Sequence, residues 1–337
     1  MGTKGTVLIT GATGFVGSHL LRHLVQRGWD VRGLKRPSSD MTLVADVADR
    51  VQWAVADVND LGALEDAFEG VSMVCHCAAV VSFHPKDAAL MKKVNVEGTA
   101  NVVNLALHFG VKHLVHVSSI AALGRNGKRT HLDEKSKWEE SKHNSRYAQS
   151  KFQAEMEVQR GIAEGLPVSI VNPSVVIGSQ HWSRGVAAFF KKMDEGLKFC
   201  PSGSSGFVDV EDVTRFIGLL LENGPTHQRC ILNGTNCSHR ALFAEIAGSL
   251  GVPEPPFTVG PFWVGLAWRV EWLKEKIFGT VPLVTRESAR ASVSHFSYAN
   301  EKSRSMFGFE YTPLSESIRR MAEAYKGECR PLVKMSD

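Results

Sequence analysis

The feature that most constrains this chain is Gly11-x-x-Gly14-x-x-Gly17, set between the β-rich run Thr6–Thr10 and a helical pattern of Leu20, Leu21, Leu24 and Val25. Such a triplet is informative only in its context. Here a strand ends, a tight turn needs a residue without Cβ, and a helix begins at once. The first turn of that helix presents unpaired N–H groups and a partial positive charge, which suit a phosphate. Gly14 lets the backbone approach a pyrophosphate, and Gly17 lets the helix lie close against the sheet. Gly11, Thr13, Gly14, Phe15, Val16 and Gly17 are therefore candidate dinucleotide contacts, and Gly28 is the expected stop of the helix.

The rhythm that starts there continues. Strands are expected at Val31–Leu34, Val51–Ala56, Val71–Ala78, Lys112–Val117 and Val168–Val171, with helices near Leu61–Glu69, Ala88–Phe109 and Arg146–Glu164. Strand alternating with helix in this way predicts an α/β, Rossmann-type doubly wound parallel sheet. After Asn172-Pro173 the pattern changes, and helices rich in aromatics dominate: Phe189, Phe190, Phe257, Phe262, Trp263, Trp268, Trp272 and Phe278. The expected division is a dinucleotide-binding domain over 1–178, with 207–222 returning to it, and a smaller, mainly helical substrate cap over 179–206 and 223–337. The length of 337 residues accommodates both.

Composition narrows the class. A formal net charge of +4 with no basic block argues against a nucleic-acid partner. Six cysteines in so long a chain fit reduced thiols and a cytoplasmic setting better than a disulfide framework. The apolar stretch Val259–Trp268 stops at Arg269, too short to span a bilayer, although surface contact stays open. Met1-Gly2 with Thr6 matches a loose myristoylation pattern, but it runs directly into a core strand.

The second strand ends in Lys35-Arg36, where an NAD site ordinarily carries an acid for the ribose hydroxyls. Two cations suit a 2′-phosphate, so NADP(H) is expected, with NAD(H) the alternative if both are solvated surface charges. Asp57, followed by Val58, is placed to accept from an adenine amino group or else to cap the next helix. Ala78, Ala79 and Val80 leave room for a flat ring, and Ser82 and Phe83 follow as candidate substrate contacts. Ser118-Ser119 closes the fifth strand at the carboxyl edge, where parallel sheets bind ligands. Tyr147 and Lys151 share a helix face, so an ammonium would lower the phenol pKa and let it exchange a proton with a carbonyl or alcohol. Tyr298 and Lys302 repeat the spacing outside the alternating half and are read as structural.

With the glycine loop, the acid after the third strand, the serines after the fifth and Tyr147/Lys151 in that order, the chain resembles the extended short-chain dehydrogenases/reductases. The resemblance runs through Phe207–Val213 to Leu232-Asn233-Gly234. It implies a catalytic set of Ser119, Tyr147 and Lys151 with Asn95 in support, and a segment at Pro173 and Val176 that lies along the nicotinamide. It also implies a homodimer through the helices carrying Asn95 and Tyr147. The chain looks most like the dihydroflavonol reductase and 3β-hydroxysteroid dehydrogenase branch. Leu123 stands before Gly124 where the nucleotide-sugar branch has Tyr, and no acidic pair follows Ser119. An NAD(P)-dependent reductase of a largely apolar ketone or secondary alcohol is thus expected. The rivals are a nucleotide-sugar epimerase or dehydratase with tightly held NAD(P), and a cofactor-sensing protein without catalysis.

Several features suggest chemistry but read more simply as structure. Cys75-His76-Cys77 alternates on a buried strand, so its thiols and imidazole face opposite ways and no metal is expected. His113 and His116 likewise point apart, His84 is placed to touch substrate but reads more simply as a solvated loop residue, and Lys191-Lys192 is a solvated helix face.

Overall fold

Val7, Leu8 and Ile9 have no exposed surface, as a parallel strand covered on both faces requires. They open the computed structural model, which describes residues 5–127, 129–179, 181–278, 282 and 284–329. The myristoylation pattern at Met1-Gly2 lies outside the described residues.

Two compact units emerge from the chain's contacts. The first holds residues through Pro173, then Val210–Leu232 and Ala299–Phe309. Its centre is a seven-stranded sheet in the order β11-β7-β5-β4-β1-β2-β3. These strands are β1 (Thr6–Thr10), β2 (Asp30–Lys35), β3 (Gln52–Val55), β4 (Val71–His76), β5 (His113–Val117), β7 (Val168–Pro173) and β11 (Gln228–Leu232). All their pairings are parallel. A two-residue strand, β6 (His131–Leu132), lies in the long connection after β5. The strand order reverses between β1 and β4, and the carboxyl ends of such a switch point form the ligand crevice of open α/β sheets.

The helices of this unit are α1 (Phe15–Gln26), α2 (Leu61–Phe68), α3 (Ala88–Met91), α4 (Gly98–His108), α5 (Arg146–Ala163), α7 (Val210–Asn223) and α11 (Glu301–Phe307). Phe68, Val102, Val103 and Val158 from α2, α4 and α5 pack on Leu8, Val74, Leu114 and Ile170 of the sheet. Leu20, Leu21 and Leu24 of α1 and Phe216, Ile217 and Leu220 of α7 are buried as well. The single helix expected over Ala88–Phe109 is interrupted, because Lys92–Glu97 winds as a π-helix between α3 and α4. Gly28 has φ +73° just past α1, as its role as a stop requires.

The expected division of the chain shifts in detail. Residues 223–232, assigned from sequence to the cap, instead supply the end of α7 and the edge strand β11, whose Cys230, Ile231 and Leu232 are buried beside β7. Phe207–Asp209, expected to return to the dinucleotide domain, belongs to β10 (Ser204–Asp209) of the second unit. A short apolar strand carries no mark of which sheet it will join, so only pairing decides this.

The second unit contains β8 (Val175–Ile177), β9 (Phe199–Pro201), β10, β12 (Thr235–Ser238), β13 (Phe257–Val259) and β14 (Ser297–Tyr298). Its helices are α6 (Ala187–Asp194), α8 (His239–Leu250), α9 (Pro261–Phe278), α10 (Arg286–Ser292) and α12 (Leu314–Cys329). Phe190, Phe243, Met321 and Tyr325 form its core, with Trp182 and Phe189 packed against them. Tyr298 is 1% exposed, and its carbonyl accepts from Asn233 and Asn236. It precedes α11 rather than sharing a helix with Lys302, so the second Tyr-x-x-x-Lys is a matter of packing. Among the described residues no helix is long and apolar enough to cross a membrane.

Candidate active site

Gly14 is the N-cap of helix α1, which has no side-chain cap and no acid in its first turn, so its leading N–H groups are left for a ligand. Close approach sets the glycines. Gly11 has φ +65°, and a Cβ there would lie 2.7 Å from the Ala78 nitrogen. A Cβ on Gly17 would lie 2.1 Å from the Gly11 carbonyl oxygen, so the turn and the helix touch backbone to backbone. Thr13, Phe15 and Val16 occupy the turn and the first residues of α1. A bare helix end above a cradle that admits no side chain fits a pyrophosphate.

Around that turn His76 ties the strand ends together. Its Nδ1 lies 2.7 Å from Thr10 Oγ1 and its Nε2 2.9 Å from Thr99 Oγ1, while the Ala78 N–H donates to Thr10 Oγ1 at 3.3 Å. Burial pushes the His76 imidazole down to about 3. Cys75 and Cys77 are free thiols raised by burial, Cys77 to about 12.

At the end of β2, Lys35 Nζ stands 5.5 Å over the Trp53 ring, and Arg36 is exposed with its N–H donating to Ser39 Oγ at 2.9 Å. Trp53 crowds Gly33, where a Cβ would fall 2.6 Å from the indole. Asp57 Oδ1 accepts from the Asn59 backbone and side chain at 2.9 and 3.0 Å, whereas Asp60 caps α2. Asp57 therefore shapes a turn and does not cap the helix. Val58 is buried behind it, and Pro173 closes β7. Val176 lies in β8 of the second unit.

The catalytic candidates meet on α5, which Ser145 caps by accepting from the Ala148 N–H. The hydroxyls of Ser119 and Tyr147 are hydrogen-bonded, and burial raises the Tyr147 phenol above its usual range against the lowering pull of Ser119. Ser119 Oγ also accepts from the Ala121 N–H at 3.1 Å. One turn on, Lys151 is 2% exposed and its Nζ donates to the Val117 carbonyl at 3.0 Å. Burial lowers this ammonium to about 8, opposed by the Glu155 carboxylate. The expectation that Lys151 lowers Tyr147 is not met: the ammonium is turned to the end of β5, and burial governs the phenol. Phe83 packs edge-on against Tyr147 with centroids 6.3 Å apart.

Asn95 sits in the π-helical turn and holds two elements. Its Oδ1 accepts from the Val80 N–H at 2.7 Å, and its Nδ2 donates to the Val80 carbonyl and to Ser150 Oγ, each at 2.9 Å. It thereby fixes the segment Ala78–Val80 to α5 without touching Ser119, Tyr147 or Lys151 in the described contacts. Ala79 is exposed beside it. Ser82 donates to Asp87 at 2.6 Å and accepts from the His84 N–H, so its hydroxyl organises the loop.

Sequence reasoning missed the support behind this set. Glu155, 4% exposed, lies one further turn along the Tyr147/Lys151 face of α5. It accepts from Asn172 Nδ2 and Arg229 Nη2, both at 2.6 Å, and Asn172 also donates to the Ser119 carbonyl at 2.9 Å. Arg229 Nε reaches Asn172 Oδ1 at 3.1 Å. The helical spacing of Glu155 was a legible signal, but nothing local marks Arg229. On a neighbouring turn, Phe152 stacks on Trp138 at 4.4 Å, and Trp138 crowds Gly124, whose φ is +75°.

Comparison with known proteins gives the family. Residues 7–232 match the NAD dependent epimerase/dehydratase family. A putative dihydroflavonol 4-reductase of Synechocystis sp. is 30% identical, covering 92% of this chain and 91% of its own. Cinnamoyl-CoA reductase 1 of Oryza sativa subsp. japonica is also 30% identical over 94% of this chain and 89% of its own. Among solved structures, gox2253 superposes with a TM-score of 0.82 at 31% identity, covering 96% of this chain and 99% of that one.

Proposed function

The chain belongs to the NAD dependent epimerase/dehydratase family, and we propose that it is an NADP(H)-dependent carbonyl reductase acting on a largely apolar ketone or aldehyde. The observation that carries this reading is the pairing of the half-buried Tyr147 hydroxyl, its phenol raised by burial, with Ser119, flanked by the Phe83 ring. A phenol held above its ordinary pKa keeps its proton at neutral pH, which suits an acid that protonates a carbonyl oxygen. Names of the relatives, a dihydroflavonol 4-reductase and a cinnamoyl-CoA reductase, support a reductase with a ring-bearing substrate.

In this mechanism Gly11, Gly14, Gly17 and the bare N-terminus of α1 hold the pyrophosphate, Asp57 accepts from the adenine amino group, and Lys35 with Arg36 meets the 2′-phosphate. Ala78, Ala79, Val80 and Pro173 would line the nicotinamide ribose and ring. Bound there, the cofactor would provide the hydride for the carbonyl carbon. Ser119 donates a hydrogen bond to the carbonyl oxygen and orients it, and Tyr147 delivers the proton there. Lys151 would hold the ribose hydroxyls. Asn95 keeps Val80 and Ser150 in register and acts by positioning.

Residues after Ser119 favour this over sugar-nucleotide chemistry: Ile120, Ala122 and Leu123 are buried and apolar, with no acid to eliminate water. The test is consumption of NADPH, and of NADH in parallel, against apolar carbonyl compounds and then nucleotide sugars. Tyr147→Phe should cut turnover by roughly 10²–10⁴-fold while NADPH still binds. Conversion of a nucleotide sugar without net NADPH consumption would replace the reductase reading.

A further inference from the structure

Helix α9 is built inside out. A surface helix normally turns its apolar stripe inward and its charges to water. In α9 the inward residue is Val264, at 8% exposed, with Trp268, Glu271 and Glu275 half-buried along the same line. The opposite side carries Phe262, Trp263, Leu266, Val270, Leu273 and Ile277, each between 45% and 75% exposed. At 3.6 residues per turn these six fall within an arc of about 100° that contains no polar residue. Solitary exposed apolar side chains need no explanation, but a continuous stripe along 18 residues marks an interaction surface.

The charges around the stripe say which kind. On the helical wheel Arg269 and Lys276 border one edge and Lys274 the other, all exposed. Both acids of the helix, Glu271 and Glu275, fall on the far side. Lys274 Nζ donates to Glu271 Oε1 at 3.0 Å, so among the described contacts the rim charges without a carboxylate are Arg269 and Lys276, which stand over the Trp268 and Trp272 rings at 4.9 and 4.6 Å. Aromatic side chains stand at both ends, Phe262 and Trp263 at one and Phe278, 73% exposed, at the other. Immediately upstream, Phe257 of β13 and Phe199 of β9 are each 57% exposed, with rings 5.9 Å apart.

We propose that α9 docks the protein on an anionic lipid surface, its apolar stripe lying in the boundary between headgroups and acyl chains and Arg269, Lys274 and Lys276 at the level of the phosphates. A second copy of the chain is the poorer occupant. A two-fold contact through this stripe would set Arg269 and Lys276 of one copy against cations of the other, and the carboxylate nearest the rim, Glu271, is already engaged by Lys274 of its own helix. The helix lies in the surface and does not cross it, since no described helix meets the length and hydropathy for spanning.

Sedimentation of the full chain with large unilamellar vesicles tests this. One set would be phosphatidylcholine with about 30% phosphatidylglycerol, the other phosphatidylcholine alone, at about 0.1 M salt, where charges are felt over about 10 Å. The expected result is partition onto the anionic vesicles at least about tenfold stronger than onto the neutral ones. Leu266→Glu with Leu273→Glu should abolish partition, and Arg269→Gln with Lys276→Gln should remove the anionic preference. Because these side chains face outward, the variants should keep the far-ultraviolet circular dichroism and the NADPH binding of the parent. Trp263→Ser with Ile277→Ser serves if the first pair fails to fold. Two results overturn the proposal: no partition onto either vesicle, or a dimer in sedimentation equilibrium that Leu266→Glu with Leu273→Glu converts to monomer.

Discussion

Replacing Gly17 by alanine separates two effects that glycines in helices usually confound. Alanine is the better helix former by about 0.5–1 kcal/mol in a helix interior. At Gly17 the new Cβ would also stand 2.1 Å from the Gly11 carbonyl oxygen, 2.8 Å from its carbon and 3.1 Å from Ala12 Cα. All three obstacles are backbone, so no side chain can swing aside, and α1 must move outward by roughly 1 Å. Overpacking of this kind costs about 1–3 kcal/mol, and rigid partners place it near the upper end. The net expectation for Gly17→Ala is a loss of about 1–2 kcal/mol. Gly62 in α2 is the control, because a Cβ there meets nothing within 4 Å. Gly62→Ala should be neutral or stabilising by up to about 1 kcal/mol. Displacement of α1 also moves the N–H groups that face the pyrophosphate, so NADPH affinity should fall at least about tenfold, or about 1.4 kcal/mol. Urea denaturation and fluorescence titration with NADPH measure both. If Gly17→Ala gained as much stability as Gly62→Ala and bound NADPH within about twofold of the parent, the close-approach reasoning would be refuted.

Other predictions follow from the same geometry. Lys35→Ala with Arg36→Ala should raise KM for NADPH at least about tenfold and leave NADH nearly unchanged; equal effects on both cofactors would place these cations elsewhere. Lys151, lowered to about 8, loses its charge as pH rises through that value, so kcat/KM for reduction should decline above about pH 8. Glu155→Gln removes the carboxylate that holds that charge, so the decline should begin at lower pH; an unmoved profile would make Glu155 purely structural. His76 at about 3 and His113 at about 4 stay neutral in the folded protein when the unfolded chain, near 6.5, takes up protons. The unfolded state then binds more protons, and stability is lost as pH falls from about 6.5 toward 4, by about 2 kcal/mol for each histidine at pH 5. Burial also holds His116 well below 6.5, and neither ring nitrogen finds a hydrogen-bond partner among the described residues. His116→Leu should therefore flatten the acid limb of a stability–pH curve, and an unchanged limb would show that His116 is protonated or solvated in the folded state.

Most of the dinucleotide half was legible in the sequence, because each of its signals is local. Strand, glycine turn and helix follow one another within the reach of a few residues, and Tyr147 and Lys151 share a face through helical spacing alone. Place after a strand singled out Ser118-Ser119, and only the family resemblance singled out Ser119. Legibility failed where partners are distant in the chain. Arg229 reaches Glu155 and Asn172 only because β11 pairs with β7, and a short strand does not announce its neighbour. Asn95 was expected as a support for the site, but what it supports, Val80 and Ser150, appeared only with the π-helical turn.

The aromatic second half shows the boundary most clearly. By composition Trp182, Phe189, Phe190, Phe262, Trp263 and Trp272 form one population suited to an apolar cap. In three dimensions they divide, with Trp182, Phe189 and Phe190 packed around Phe243 and Tyr325 and the α9 aromatics turned to the surface. What the sequence by itself determined was the α/β alternation, the phosphate turn and the Ser/Tyr/Lys order, since these depend on backbone stereochemistry and spacing within single elements. Tertiary structure alone decided burial: that the Tyr147 phenol is raised, that Lys151 is lowered, and which aromatics meet water. Those properties follow from how much low-dielectric protein surrounds a group, and residues far along the chain supply it.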